Sequence, residues 1–228
     1  MRQTCIFIAT CFLFMSCSTL NSLLVKPSTL ETITAVKEVL NSSAFRAIKT
    51  ISKLNSEEGV MAILPEELAP VLNTLKTIGV GEDVDKITKK IGEISAIVVD
   101  ESSGIMKDAI SEVKFGDVVA IVVGGEDAAT QVLREAMYGA VKKRYSTKLD
   151  TELQNAEVIP YWEMATGAYN LFAKKKIDTN LSDFMAERAV DGIFLAMGKE
   201  EKEIRRDPAS LGKAVVTKVF DYYKNRKA

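Results

Sequence analysis

The stretch that decides the fold runs from residue 181 to residue 197 and reads LSDFMAERAVDGIFLAM. Its apolar side chains recur every three or four positions, which is the spacing of one face of an α-helix: Leu181, Phe184, Met185, Ala189, Ile193, Ala196 and Met197. Val190 and Phe194 lie off this stripe, so the segment is apolar on nearly every side. Such a helix is typical of a protein's centre. The sequence therefore predicts an all-α, compact multi-helix domain around this segment.

Only three charged residues interrupt this segment between Phe184 and Met197, namely Glu187, Arg188 and Asp191. Arg188 and Asp191 are three positions apart and can meet on one side of the helix. A charge on a central helix needs a partner, because burying an unpaired charge is costly. We therefore expect a buried pair, which either stabilises the core as an ion pair or serves as a polar anchor inside a ligand cavity.

The same helical spacing recurs along the rest of the chain. Apolar stripes lie within residues 30–40, 68–78, 84–94, 132–141 and 211–219. Pro65 suits the first turn of the second of these helices, and Gly79 suits its end. The pattern predicts a single helical domain over residues 30–224.

Two stretches of β-branched residues, 97–99 and 118–123, each resemble a buried strand when taken alone. The sequence offers them no partner strands at hairpin spacing, and an isolated strand leaves its backbone groups unpaired. Asp117 stands directly before the second stretch and is a suitable cap for a short helix. Both stretches are therefore predicted to be helical.

Aromatic side chains are concentrated after Pro160, at Tyr161, Trp162, Tyr169 and Phe172. Trp162 and Tyr169 are seven positions apart and fall on the same helical face. One interpretation of the cluster is packing into the core. The other is a ligand-binding cleft lined by aromatic groups, as apolar binding sites commonly are.

Residues 124–130 read GGEDAAT and place two glycines before a predicted helix. The start of a helix can bind phosphate, but Glu126 and Asp127 in the first turn complement the helix dipole and repel an anion. We therefore expect a helix capped by these carboxylates. Farther along, Glu201 and Arg205 have the i,i+4 spacing of an ion pair on a charged helix.

The first seventeen residues, MRQTCIFIATCFLFMSC, have the form of an export signal. A charged start precedes an apolar core that is too short to cross a hydrocarbon layer of about 30 Å. The end of this core resembles the lipobox of bacterial lipoproteins, although Phe14 stands where that motif usually has leucine. The resemblance implies cleavage before Cys17 and attachment to a membrane through an acylated Cys17. The alternative is an ordinary signal peptide cut nearby.

These features divide the start of the chain into a signal peptide over residues 1–16 and a lipidated tether over residues 17–29. Ser18, rather than aspartate, follows Cys17. By resemblance to enterobacterial lipoprotein sorting, this favours the outer membrane, with the domain facing the periplasm.

Composition excludes several classes of function. The chain of 228 residues has no histidine, which excludes histidine-dependent catalysis, His-ligated zinc and histidine pH switching. The cysteines are Cys5, Cys11 and Cys17, so a processed and acylated chain has no free thiol. A formal net charge of −1 gives no electrostatic basis for binding nucleic acid. No motif indicates a cofactor or a metal site.

Three blocks of sequence resemble a known family. The first comprises LPEEL at 64–68, TIGVG at 77–81 and Val84-Asp85; the second comprises GGEDAAT at 124–130 with Arg134; the third comprises AVDGIF at 189–194, EEK at 200–202, Ile204-Arg205 and DPA at 207–209. Their order and spacing over residues 33–220 resemble the DUF4197 family of bacterial envelope proteins. The resemblance implies a mostly helical exported domain, often with a lipoprotein signal, whose function is unknown.

By elimination, the sequence favours a protein that binds rather than catalyses. The predicted role is non-catalytic binding of a partner or an apolar ligand in the cell envelope. The alternative is a hydrolase that uses carboxylates on cell-envelope material. An apolar cavity favours the first role, whereas a cleft with two unpaired carboxylates about 5–10 Å apart favours the second.

Overall fold

A computed structural model describes residues 25–53, 70, 74, 77, 81–224 and 226. The predicted signal peptide and most of the predicted tether, including Cys17, lie outside the described residues. So do Pro65, Gly79 and most of the helix expected between them.

Seven α-helices and one 3-10 turn make up the described chain. They are α1 (Thr29–Lys53), α2 (Gly81–Glu112), α3 (Val118–Val123), α4 (Ala128–Asn155), α5 (Ile159–Phe172), α6 (Leu181–Arg206), the 3-10 turn (Pro208–Leu211) and α7 (Ala214–Lys224). The described residues contain no strand, so the prediction of an all-α fold is confirmed. None of the described helices is both long enough and apolar enough to span a membrane.

Helix α6 lies at the centre of the bundle. It packs against α4 and α1, and α1 in turn contacts α2 and α7. The side chains of α6 that enter the core are Leu181, Met185, Ala186, Val190, Ile193, Phe194, Met197 and Ile204. They recur at helical spacing, so the pattern in the sequence corresponds to the face that meets α1 and α4.

Both β-branched stretches are helical, as the sequence predicted. Residues 97–99 lie within α2, and residues 118–123 form α3. The carboxylate of Asp117 caps α3 by accepting hydrogen bonds from the backbone N–H groups of Val119 and Ala120, both at 3.0 Å. Gly124 follows α3 at a tight turn, where an added Cβ would lie 2.8 Å from Ala128 Cβ. The cap and this turn stabilise a short helix despite its β-branched residues.

The C-terminal segment differs in one detail from the sequence prediction. The apolar stripe within residues 211–219 predicts a helix that includes Leu211, but Leu211 ends a 3-10 turn and the terminal helix begins at Ala214. Gly212 separates the 3-10 turn from α7 with φ +63°, a left-handed conformation that favours glycine. Helix α7 then runs antiparallel to α1, since Lys213 lies 3.7 Å from Glu38 while Lys218, farther along the chain, donates to Glu31 at 2.6 Å.

Candidate functional site

Four helices enclose an apolar cavity of about 140 Å³ in the bundle. Ile51 of α1, Val98 and Val99 of α2, Leu149 of α4, and Met185 and Ile193 of α6 supply apolar walls. The polar groups on its lining are Ser95, Ser102, Tyr145 and Arg188. We refer to this space as the apolar cavity.

Helical spacing explains why these residues share one space. Val98 and Ser102 are four positions apart on α2, as are Tyr145 and Leu149 on α4. On α6, Met185, Ala189 and Ile193 repeat the same interval. Side chains four positions apart lie on the same helical face, so each helix turns one short stripe toward the cavity.

The hydroxyl of Tyr145 is buried without a partner. Tyr145 is 0% exposed, and its Oη makes no hydrogen bond within the described structure. The nearby Ser102 hydroxyl donates instead to the carbonyl of Val98 at 2.8 Å. Burial raises the pKa of Tyr145 well above its ordinary value, so the phenol stays protonated at neutral pH.

An unpartnered buried hydroxyl requires a physical explanation. Leaving such a group unsatisfied costs about 1–3 kcal/mol, and native structures contain few of them. Tyr145 lines the apolar cavity, where its hydroxyl is available to a polar atom of a bound molecule.

The buried pair predicted for Arg188 and Asp191 is wrong. Arg188 is exposed, with its guanidinium 5.7 Å from the centroid of the Phe184 ring. Asp191 is half-buried, and its carboxylate accepts a hydrogen bond from Arg134 of α4 at 2.6 Å. Helix α6 keeps one strip at the surface, which includes Arg188 and Gly192, so it is not enclosed on every side. Arg188 nevertheless lines the apolar cavity.

The four predicted aromatic residues do not form one cleft. Trp162 is buried and packs on Phe184, with 5.4 Å between ring centroids, and Phe184 lines the apolar cavity. Tyr161 and Tyr169 are partly buried against the core. Phe172 is 91% exposed at the last position of α5. Trp162 therefore supports the cavity wall from behind, whereas Phe172 belongs to a different surface.

A second feature, at the other end of α6, centres on a buried carboxylate. Glu201 is 0% exposed. It accepts hydrogen bonds from the backbone N–H groups of Ala129 (3.0 Å) and Thr130 (2.7 Å) and from the Thr130 hydroxyl (2.6 Å). The carboxylate therefore satisfies N–H groups at the start of α4 that have no partner within the helix. Spacing indicated its pairing with Arg205, but gave no sign of this burial.

Arg205 caps the carboxyl-terminal end of α3, whereas Glu201 caps the amino-terminal end of α4. Its guanidinium donates to the carbonyls of Val122 (2.8 Å) and Ile121 (3.0 Å) at the end of α3. It also donates through Nε to Glu201 at 2.7 Å and lies over the Phe220 ring of α7. One ion pair on α6 thus joins the end of α3 to the start of α4, with α7 packed beside it.

Glu126 and Asp127 were expected to cap the start of α4, and this prediction is wrong. Asp127 makes no side-chain hydrogen bond to the backbone of α4; it accepts instead from the Gln131 amide at 2.9 Å. Glu126 forms an ion pair with Lys202. Glu201 provides the cap from another helix, which the local sequence could not indicate.

Glu126 and Asp127 also line a cleft of about 340 Å³ between α4 and α6. Glu126 pairs with Lys202, and Asp127 accepts from the Gln131 amide, so these are not the two unpaired carboxylates expected of a hydrolase. Among the residues that the structure describes, no three Cys, Asp or Glu side chains are grouped so as to hold a metal ion.

A comparison with family models tests the resemblance of the three sequence blocks to the DUF4197 family. The family model of DUF4197, described as a protein of unknown function, matches residues 26–221. The chain belongs to the DUF4197 family. No curated protein and no solved structure matches it.

Two of the three sequence blocks of this DUF4197 protein meet in space. Thr130 of the second block binds Glu201 of the third, and Arg134 of the second binds Asp191 of the third. Most of the first block lies outside the described residues. The blocks in the described chain therefore coincide with contacts between α4 and α6 and are accounted for by packing.

Proposed function

We propose that this DUF4197 protein binds an apolar ligand, or the apolar end of a larger one, in the apolar cavity without catalysing its conversion. The observation that carries the proposal is the Tyr145 hydroxyl, which is buried on the cavity lining with no partner in the described chain. A ligand with a hydrogen-bond acceptor beside its apolar part satisfies this donor. A hydrogen bond from Tyr145 to the ligand removes the free-energy penalty that the unpartnered hydroxyl carries in the ligand-free protein.

The size of the cavity limits what enters it. A cavity of about 150 Å³ lined by apolar residues holds a molecule such as benzene, whereas whole drug-sized ligands occupy about 300–1,000 Å³. At about 140 Å³, the apolar cavity fits one ring or a short part of an alkyl chain. The remainder of a larger ligand passes out beside Arg188 and Gly192, where α6 is exposed.

The proposal includes attachment to a membrane through an acylated Cys17, with the domain in the periplasm at the outer membrane. Support comes from the short apolar core of the export signal and from the residues around Cys17. The chain between Cys17 and Thr29 extends to at most about 40 Å. An anchored domain therefore stays close to the lipid surface, where apolar ligands are concentrated.

The first test replaces Gly192 by leucine. Gly192 lines the apolar cavity, and an added Cβ meets no atom within 4 Å, so the leucine side chain can block the mouth without a clash at its Cβ. Gly104→Leu is the matched control, because Gly104 is an exposed helical glycine with equally open surroundings and does not line the cavity.

Native protein, Gly192→Leu and Gly104→Leu are purified and extracted with organic solvent, and the extracts are compared by mass spectrometry. We expect one compound in the wild-type and Gly104→Leu extracts that is depleted in the Gly192→Leu extract. Equal amounts in all three extracts contradict binding in this cavity. Turnover of peptidoglycan fragments that is lost on carboxylate substitution favours the hydrolase instead.

A further inference from the structure

The end of α5 exposes large apolar side chains that the bundle does not use. Leu171 is 78% exposed and Phe172 is 91% exposed, and Met164 on the same helix is 44% exposed. Leu171 lies two turns after Met164 and therefore faces the same direction. Helix α5 instead packs on the bundle through the opposite face, where Trp162 and Thr166 are buried. The exposed residues are therefore a surface feature and not a part of the core.

Three lysines follow directly. Lys174, Lys175 and Lys176 are all exposed, and the chain turns back toward the bundle at Ile177, which is buried. We call Leu171, Phe172 and these three lysines the α5 tip.

Two hydrogen bonds hold the α5 tip in place. The Asn170 amide donates to the carbonyl of Ile177, and the N–H of Ile177 donates to the Asn170 side-chain oxygen, both at 2.8 Å. This reciprocal pair closes the loop that contains residues 171–176. Apolar and cationic side chains are therefore presented together on one short projection of defined length.

We propose that the α5 tip docks on an anionic phospholipid surface. Leu171 and Phe172 enter the boundary between headgroups and acyl chains, and Lys174 and Lys176 bind the lipid phosphates. Exposed apolar groups beside lysines match an interface that is apolar below and negatively charged above. Lysine stems also tolerate this position, because they extend their ammonium groups toward water and phosphate.

The position of the tip is compatible with a lipid anchor at Cys17. Helix α1 runs antiparallel to α6, since Ile51 shares the apolar cavity with Met185 while Arg46 lies 3.9 Å from Glu200. The tip, which precedes α6, is therefore at the opposite end of the bundle from Thr29. Helix α6 has 26 residues and is about 39 Å long at 1.5 Å per residue. Because Pro27 is buried, the free chain is the segment from Cys17 to Pro27, which spans at most about 35 Å. Both attachments therefore reach one membrane when α6 lies along its surface.

A single added tryptophan tests the docking. The chain has one tryptophan, the buried Trp162, so Phe172→Trp introduces a second that reports the surroundings of the tip. Leu195→Trp is the control, because Leu195 is 63% exposed on α6 away from the tip. Each full-length variant is reconstituted into equimolar phosphatidylcholine and phosphatidylglycerol vesicles whose acyl chains are brominated to quench fluorescence.

We expect strong quenching of Phe172→Trp and little quenching of Leu195→Trp. Adding Lys174→Gln and Lys176→Gln to Phe172→Trp should lower the equilibrium constant for docking, taken from the quenched fraction in these vesicles, roughly tenfold or more, from about 1 kcal/mol per lysine near a charged surface. Lys175 is left unchanged because it makes another contact in the structure. Pure phosphatidylcholine vesicles should give weak quenching.

Equal quenching of the two tryptophan variants in anionic vesicles overturns the proposal. So does a blue shift of Phe172→Trp that needs no vesicles and grows with protein concentration, because a second copy of the chain then covers the tip. Neither result bears on ligand binding in the apolar cavity, so the two proposals can fail separately.

Discussion

Glu201 and Arg205 lie one turn apart on α6 and satisfy two helix ends of opposite polarity. The Glu201 carboxylate accepts from the N–H groups at the start of α4, and Arg205 donates to the carbonyls at the end of α3. Their own contact, at 2.7 Å, neutralises both charges inside the protein. Residues from α3, α4 and α6 thus depend on a single ion pair.

Replacing Glu201 by glutamine should destabilise the fold strongly. The substitution keeps the shape but leaves Arg205 without its counter-charge, and breaking a buried pair by removing one partner costs about 3–5 kcal/mol. Urea unfolding followed by circular dichroism measures the change. Glu203→Gln is the control, since its pair with Arg206 is about 60% exposed on both sides. We expect the control to change the free energy of unfolding by less than about 0.5 kcal/mol. If Glu201→Gln and Glu203→Gln lower the free energy of unfolding equally, the buried pair does not stabilise the fold more than the exposed pair does.

Tyr145→Phe should leave the ligand-free protein as stable as the wild type, or more stable by about 1 kcal/mol. The variant keeps the aromatic ring and removes a hydroxyl that has no partner in the described chain, and an unsatisfied buried group carries a penalty. The same variant should bind the extracted ligand more weakly. A loss of more than about 1 kcal/mol in the ligand-free protein is inconsistent with an unpartnered hydroxyl.

Stability should fall in acid through the contact between α1 and α7. A hydrogen bond from Lys218, together with bonds from Ser28, lowers the pKa of Glu31 to about 2. Because this pKa is lower in the folded protein than in the unfolded chain, the contribution is complete above about pH 4.5 and is lost as the pH falls toward 2. The difference in stability between wild type and Glu31→Gln should therefore be constant above pH 5 and shrink below pH 4.5. A difference that is independent of pH over this range contradicts the assignment.

Replacing Cys17 by serine should prevent acylation. We expect the variant to remain unprocessed or to lose the mass of the acyl chains, because serine offers no thiol for the lipid. Mass spectrometry of the purified chain gives the readout. Ser18→Ala serves as a control that leaves the thiol in place. If Cys17→Ser leaves the processing and the mass of the mature chain otherwise unchanged, the lipid anchor is wrong.

The helices could be predicted because their signals are local. Apolar spacing in residues 181–197 gives α6, and Asp117 before a β-branched stretch gives the cap and the short helix α3. Each signal involves residues within one or two helical turns, whose geometry is fixed by the backbone. The same local logic gave the i,i+4 pairing of Glu201 and Arg205.

Predictions about burial were less successful, because burial depends on which helix covers a residue. Glu201 is enclosed although its neighbours in sequence are charged, since the start of α4 lies over it. Arg188 is exposed although it belongs to a largely apolar segment, since the described bundle leaves that strip of α6 uncovered. Asp191, three residues farther on, pairs instead with Arg134 from α4.

The sequence by itself determined the all-α class, the approximate positions of most helices in the described chain and membership of the DUF4197 family. It did so because helical periodicity and motif spacing depend only on the order of residues along the chain. Only the tertiary structure decided the apolar cavity, the unpartnered hydroxyl of Tyr145 and the exposure of Phe172. These depend on the packing of helices far apart in sequence, and no local pattern encodes the space left where their faces meet.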